Sequence, residues 1–269
     1  MFHFTIGMDP NIVTIGRFVI AWHAVAILVA IVLAVVLIRL EFLRKKLSLD
    51  HWDNIVYITV AGGIIGARVF FIFDHPIQNL KHPLQMFQLW NGGLAVYGAV
   101  FGGFLTVLAL CRYYKLPTLQ VIDAVAPGLI LAQAFGRIGC LINGDAWGAP
   151  TSSFFSVTYT NSTDLLPPNL LNVRTFPYPV YDAIINLAIF TIIWQLRKRN
   201  VPNGVAFALF GALYAGSRFM ISYMRQERIW FWGLQEAQVI AILALIASVV
   251  ALVILLRRDR QTLTVAAAS

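Results

Sequence analysis

The chain has 269 residues, of which 59% are hydrophobic and 12% charged, and its formal net charge is +8. A soluble domain of this size is about one-quarter charged, so this composition, with a mean hydropathy of +0.76, excludes an ordinary water-soluble protein and implies an all-α polytopic membrane protein. The positive balance does not call for nucleic acid, because the basic residues sit in short clusters between apolar runs, where they act as topology signals.

The opening stretch MFHFTIGMDPNIVTIG carries no Lys or Arg before Arg17, and the apolar run after it is too long for the core of a signal peptide. Seven apolar segments then read as transmembrane helices, at 18–38, 53–73, 93–111, 120–142, 179–196, 203–223 and 234–256. The stretch 143–178 is rich in Ser, Thr, Asn and Pro and cannot cross a membrane as helix, so it is expected to be an extramembrane insert. Residues 257–269 are expected to be a disordered tail, and 1–269 a single membrane domain. The two cysteines, Cys111 and Cys140, lie in apolar runs and suit buried packing better than a disulfide or a metal site.

Orientation follows from the basic residues. Arg39, Arg44, Lys45, Lys46, Arg112, Lys115, Arg197, Lys198, Arg199, Arg257, Arg258 and Arg260 fall on one side, twelve in all, against five (Arg17, Lys81, Arg174, Arg225, Arg228) on the other. The positive-inside rule places the first set in the cytoplasm, with the N-terminus outside and the C-terminus inside. Three arginines remain within the spans: Arg68, Arg137 and Arg218. Each lies about five residues before the outer end of its segment, so at ~1.5 Å per residue all three share one depth near the outer surface. A guanidinium cannot shed its charge there. Each Arg either stretches its head to the interface or contributes to a shared pocket for a phosphate, which arginine grips with two parallel hydrogen bonds. The common depth and the neighbouring glycines favour the pocket.

Other polar groups reach the same layer: His23 and Tyr97 on segments entering from outside, Asn143 and Asp145 after Arg137, and Tyr214 four residues before Arg218 on the same helix face. Singly each has a plainer role. A tyrosine anchors at the interface, a histidine packs, and Asp145 pairs with Arg137 or closes its turn.

At GRIGCLINGDAWGAPT (136–151) the sequence resembles the signature of the bacterial prolipoprotein diacylglyceryl transferases, through Gly136, Arg137, Gly139, Asn143, Gly144, Trp147, Gly148 and Thr151. GGIIGARVFFIF, LWNGGLAVYGAVFGG, YPVYDAI and LYAGSRFMISYMRQE resemble further family segments in the same order. Departures fall at His23, Tyr97, Cys140, Asp145 and Ser222, where the family has Tyr, His, Asn, Glu and Glu. The first two look like a His/Tyr exchange between two positions.

The resemblance implies a seven-helix bacterial plasma-membrane enzyme with its site facing the outer leaflet. It would transfer a diacylglyceryl group from phosphatidylglycerol to the lipobox cysteine of an exported prolipoprotein, forming a thioether and releasing glycerol phosphate. Arg137 and Arg218 would hold the phosphate as charge builds on it. Arg68, Asn143, Asp145, Tyr214 and Arg225 would complete the headgroup site, Asn143 and Asp145 by organising the turn and orienting Arg137. His23, with an ordinary imidazole pKa near ~6.5, would take the thiol proton, and Tyr97 would hydrogen-bond the headgroup or His23.

No cofactor is implied: there is no phosphate-binding glycine loop and no His/Cys/Asp cluster at ligand spacing along the chain, and the lipid carries its own leaving group. The competing classes are a transporter, a retinal protein and an inactive lipid-binding relative. A transporter keeps its polar residues nearer the midplane. A retinal protein needs a lysine within a span, and all five lysines lie outside.

The charge bias predicts that an impermeant thiol reagent added from outside labels Ser162→Cys and leaves Lys198→Cys untouched in intact cells. The opposite pattern would invert the topology.

Overall fold

The computed structural model describes residues 2–16, 18–74, 93, 95–162, 165–199, 201–225, 229–230 and 233–268, with 259–268 as backbone. Arg17, Lys81 and Arg228 of the outward-assigned basic set lie outside the described residues. Seven helices among those described are long and apolar enough to span a membrane. They are α1 (Trp22–Arg44), α2 (Trp52–Asp74), α3 (Val96–Tyr113), α4 (Thr118–Asn143), α5 (Tyr178–Leu196), α6 (Val205–Ser222) and α7 (Glu236–Ala268). Each matches an expected segment, with ends moved by at most six residues except at the C-terminal end of α7, which runs twelve residues further.

The tail expected to be disordered continues α7 to Ala268. No Gly or Pro follows Gly233, and Arg, Gln, Leu and Ala all propagate helix, so nothing local stops it.

Strands are the element the apolar segmentation missed. β1 (Phe2–Ile6) pairs in parallel with β4 (Phe155–Tyr159), which pairs antiparallel with β5 (Arg174–Thr175); β2 (Asn11–Ile15) and β3 (Phe18–Ala21) form a hairpin leading into α1. FHFTI and FSVTY each alternate apolar and polar residues, the two-residue period of a half-buried strand. Val157, Tyr159, Leu166 and Leu170 form a small buried core, with Phe4, Ile6 and Trp147 against it. The insert is therefore a folded cap built with the N-terminal strand.

The chain groups into two compact units, residues 42–121 and residues 1–41 with 122–269. In the first, α2 and α3 meet through glycines. A Cβ on Gly66 would strike the Gly98 carbonyl and lie 2.8 Å from Gly102 Cα, and one on Gly62 would strike Thr106. Close backbone approach through small residues four apart is a principal way for membrane helices to associate, since lipid offers no hydrophobic drive between them.

In the second unit, contacts at two ends fix alternating helix directions. At one end Arg197 Nη1, after α5, donates to Glu41 Oε1 near the end of α1 at 2.9 Å, and its guanidinium lies 3.3 Å from the Trp194 ring centroid. Asp123, early in α4, accepts from the backbone N–H groups of Gly204 at 2.7 Å and Phe207 at 2.9 Å. Gly204 has no capping side chain and a positive φ of 93°, so a carboxylate from another helix caps α6 instead. The start of α1, the end of α4, the start of α5 and the end of α6 meet at the opposite end, where the polar side chains gather.

Asp123→Ala leaves two buried N–H groups without their charged acceptor and is expected to lower stability by about 2 kcal/mol, whereas Asp123→Asn keeps one acceptor oxygen and loses less. Denaturant unfolding in mixed micelles, followed by tryptophan fluorescence, measures both.

Candidate active site

The signature around Arg137 has a local structural logic. Gly144, at φ 70°, takes the left-handed conformation that ends α4, and its N–H closes on the Cys140 carbonyl at 3.0 Å. The chain then reverses, returning Asp145 toward the helix end, where Asn143 Nδ2 donates to Asp145 Oδ2 at 3.1 Å. Gly139 permits a close helix crossing: a Cβ there would lie 2.8 Å from Ala26 Cβ and 3.0 Å from His23 Cα. That approach brings the first turn of α1 against the last turns of α4. Gly148 serves the cap, since a Cβ there would strike Phe176.

Arg137 meets its counter-charge on α5. Its Nε lies 2.5 Å from Asp182 Oδ2, and Asp182 is 1% exposed. Asn186, one turn further along α5, donates to Asp182 Oδ1 at 3.2 Å. Arg137 Nη1 also donates to Cys140 Sγ at 3.6 Å. Of the two expectations for Asp145, pairing with Arg137 or closing the turn, the contacts fit the second. The reversal at Gly144 turns Asp145 toward Asn143 and His23, its Oδ2 lying 3.8 Å from His23 Nδ1.

Three guanidiniums converge on one buried ring. Arg137, Arg218 and Arg225 place Cζ at 5.7, 5.7 and 5.0 Å from the centroid of Tyr178. Tyr178 is fully buried, and its hydroxyl accepts from Arg218 Nη1. Arg225 is held by its backbone, whose carbonyl accepts from Gln235 Nε2 at 3.0 Å, while the preceding Met224 carbonyl accepts from Ala149 N–H at 2.8 Å. Cationic groups on the face of a tyrosine are favoured by the ring's charge distribution. Together they concentrate positive charge where an anion would be stabilised.

The structure thus brings together His23, Arg137, Asn143, Asp145, Arg218 and Arg225. Tyr214 lies on α6 beside this group and packs on Phe210, ring centroids 6.0 Å apart. Arg68 and Tyr97 belong to the other unit. There Arg68 is 8% exposed, donates from Nη1 to the Gly93 carbonyl at 2.8 Å and sits 5.3 Å from the Phe71 ring centroid. Tyr97 lies against Phe70 at 6.4 Å. Ser222 is buried and donates to the Arg218 carbonyl of its own helix at 2.6 Å.

The model of the family described as prolipoprotein diacylglyceryl transferase matches residues 10–254. The chain belongs to the prolipoprotein diacylglyceryl transferase family. Among its relatives, the phosphatidylglycerol–prolipoprotein diacylglyceryl transferase of Streptococcus uberis is 32% identical over 255 residues, covering 94% of this chain and 97% of that protein. Its namesake in Oceanobacillus iheyensis is 32% identical over 258 residues, 93% and 89% of the two chains. That of Streptococcus pyogenes serotype M1 is 30% identical over 256 residues, 94% and 96%.

Within this family member, sequence reasoning missed three site residues. Asp182 and Tyr178 sit in YPVYDAI, four apart and so on one helix face. An acid inside a membrane span is itself a signal, because it needs a cation and Arg137 needs an anion. Cys140 was set aside as a packing residue. The fold instead places one ligand-type atom each of His23, Cys140 and Asp145 within 4.8 Å of one another. Spacing along the chain gives no sign of this cluster, because its three residues come from distant segments. Among the described residues, His23 Nδ1, Asp145 Oδ1 and Asn186 Oδ1 are buried atoms without a hydrogen-bond partner.

Asp182→Asn removes the counter-charge of a buried guanidinium and is expected to cost about 3 kcal/mol. Replacing both partners, as Arg137→Met/Asp182→Leu, should restore most of that stability while abolishing activity. Unfolding midpoints and transfer assays on the same purified variants check the two halves.

Proposed function

We propose that this chain is an active phosphatidylglycerol–prolipoprotein diacylglyceryl transferase of the bacterial plasma membrane. In this reading the whole chain is one membrane domain with its N-terminus outside, and the site opens to the outer leaflet. The observation that carries the proposal is the meeting of three guanidiniums around Tyr178, joined through Arg137 to Cys140 near the end of α4.

The reaction needs two things, a phosphate held as it leaves and a thiolate to displace it. Arg218 and Arg137 serve the first, with Arg225 alongside. As the bond from glyceryl carbon to phosphate oxygen breaks, negative charge grows on the phosphate, and fixed guanidiniums stabilise that state more than the bound lipid. Asp182 holds Arg137 by its Nε, which fixes the plane of the guanidinium. Asn143 and Asp145 shape the turn. Arg68 and Tyr97, on α2 and α3, lie in the other unit.

The acceptor is the lipobox cysteine of an exported prolipoprotein, entering from the bilayer beside the cap. His23 stands in a half-buried polar cluster with Cys140 and Asp145, and the thiol is activated there. Neither nucleic acid nor a nucleotide takes part.

Purified protein in phosphatidylglycerol nanodiscs is expected to add a labelled diacylglyceryl group to a lipobox peptide and to release glycerol phosphate. Arg218→Ala should lower the rate by about 10²–10³-fold while staying folded, and Arg218→Lys should recover little, because an ammonium lacks the planar fork. Undiminished transfer by Arg218→Ala would remove the proposed phosphate site. Lipid binding without any transfer by the unaltered chain would identify an inactive relative.

A further inference from the structure

Three of the positions at which this chain departs from the family signature, His23, Cys140 and Asp145, come from the first turn of α1, the last turn of α4 and the turn after it. The fold gathers them into one constellation, a nitrogen, a sulfur and a carboxylate oxygen within 4.8 Å of one another. These are the three donor types that zinc binds. Resting on the transferase reading, we propose that His23, Cys140 and Asp145 form a three-ligand site for a thiophilic divalent cation of the Zn²⁺ class, whose open fourth position takes the lipobox thiol.

The geometry leaves room for an ion among the three donors. Among the described residues, His23 Nδ1 and Asp145 Oδ1 are buried atoms without hydrogen-bond partners, and His23 Nδ1 stands 3.8 Å from Asp145 Oδ2, beyond hydrogen-bond reach. A cation between them would satisfy both. Bond lengths of about 2.0–2.3 Å in a tetrahedral site set ligand atoms about 3.3–3.7 Å apart. The donors therefore need to close by only about an ångström, within the range of side-chain rotation.

A supporting layer is also present. Asn143 Nδ2 donates to Asp145 Oδ2 at 3.1 Å and orients the carboxylate. Arg137 Nη1 donates to Cys140 Sγ at 3.6 Å and holds the sulfur in place. Gly139, which admits α1 beside α4, is the residue that makes the site possible. A three-ligand zinc site keeps a position for substrate, and a thiol coordinated there loses its proton outright.

The chemistry balances without a redox partner. The substrate thiol binds the ion and gives its proton to water. The sulfur electron pair forms a bond to the glyceryl carbon, and the carbon–oxygen bond to phosphate breaks. Glycerol phosphate leaves with that electron pair, held by Arg218 and Arg137, and the uncharged thioether dissociates from an ion of unchanged oxidation state.

Full-length protein in nanodiscs, stripped with chelator and titrated with Co²⁺, reports the site directly, because a cobalt–thiolate bond gives a near-ultraviolet charge-transfer band. One equivalent of Co²⁺ should produce the band, and Zn²⁺ should displace it. Cys140→Ser should abolish it, and His23→Gln and Asp145→Asn should each weaken binding at least about tenfold. Cys111→Ser, in the other unit, should leave it intact. Absence of the band in the unaltered chain, or its persistence in Cys140→Ser, overturns the site. Transfer should fall on stripping and return with Zn²⁺. Stripped protein as active as loaded protein would overturn the thiol-activating role while leaving the transferase reading in place. A metal-binding chain without transfer under any condition would sink the transferase reading and keep the ion site.

Discussion

A permanently charged guanidinium near the end of an apolar helix organises this molecule. Arg137 cannot deprotonate, and hydrocarbon offers it no solvation, so the fold must bring it an anion. Asp182 supplies one at 2.5 Å from the neighbouring helix, and Asn186 supports Asp182 in turn. That pair sets how α4 and α5 face each other at this end, and it places Tyr178 where three arginines can share its ring. A pair this deep adds little net stability compared with apolar residues of the same volume. Its value is in fixing a charge at a defined position, which a reaction with a developing phosphate anion needs.

The rest of the second unit holds that arrangement in place. At the far end, Asp123 caps α6 from another helix and Glu41 binds Arg197, so directions and depths are set by polar contacts on both sides of the apolar middle. At the near end the small sheet covers the turn that follows Arg137. Asn143 is tied to the insert through its carbonyl, which accepts from Leu165 N–H at 3.2 Å. Glycine does different work at each motif position. Gly144 supplies a backbone conformation, Gly139 a close helix crossing, and Gly148 a fit against Phe176.

The departures from the family pattern change meaning once the chain is folded. Taken one by one, Cys140 for Asn, Asp145 for Glu and His23 for Tyr look like losses from a catalytic set. In space they are neighbours with complementary chemistry. The sequence alone suggested that His23 and Tyr97 had exchanged places. The partners the structure gives His23 within its own unit are instead Asp145 and Cys140.

The seven spans, the break between the fourth and fifth of them and the presence of charged residues within the spans were all legible in the sequence, because each rests on local composition and on a bilayer thickness that any helix must match. Alternation in FHFTI and FSVTY also announced strands, although short segments beside long apolar runs are easily passed over. Arg137 and Arg218 could be singled out for the same local reason: a charge in hydrocarbon is conspicuous wherever its partner lies. Identifying the partner was another matter. Asp182 is 45 residues from Arg137 in the chain, His23 is more than a hundred from Cys140, and the turn at Gly144 decides which way Asp145 points. Pairing, orientation and the clustering of donor atoms depend on how helices pack and where glycines let them touch, and those are properties of the folded chain alone.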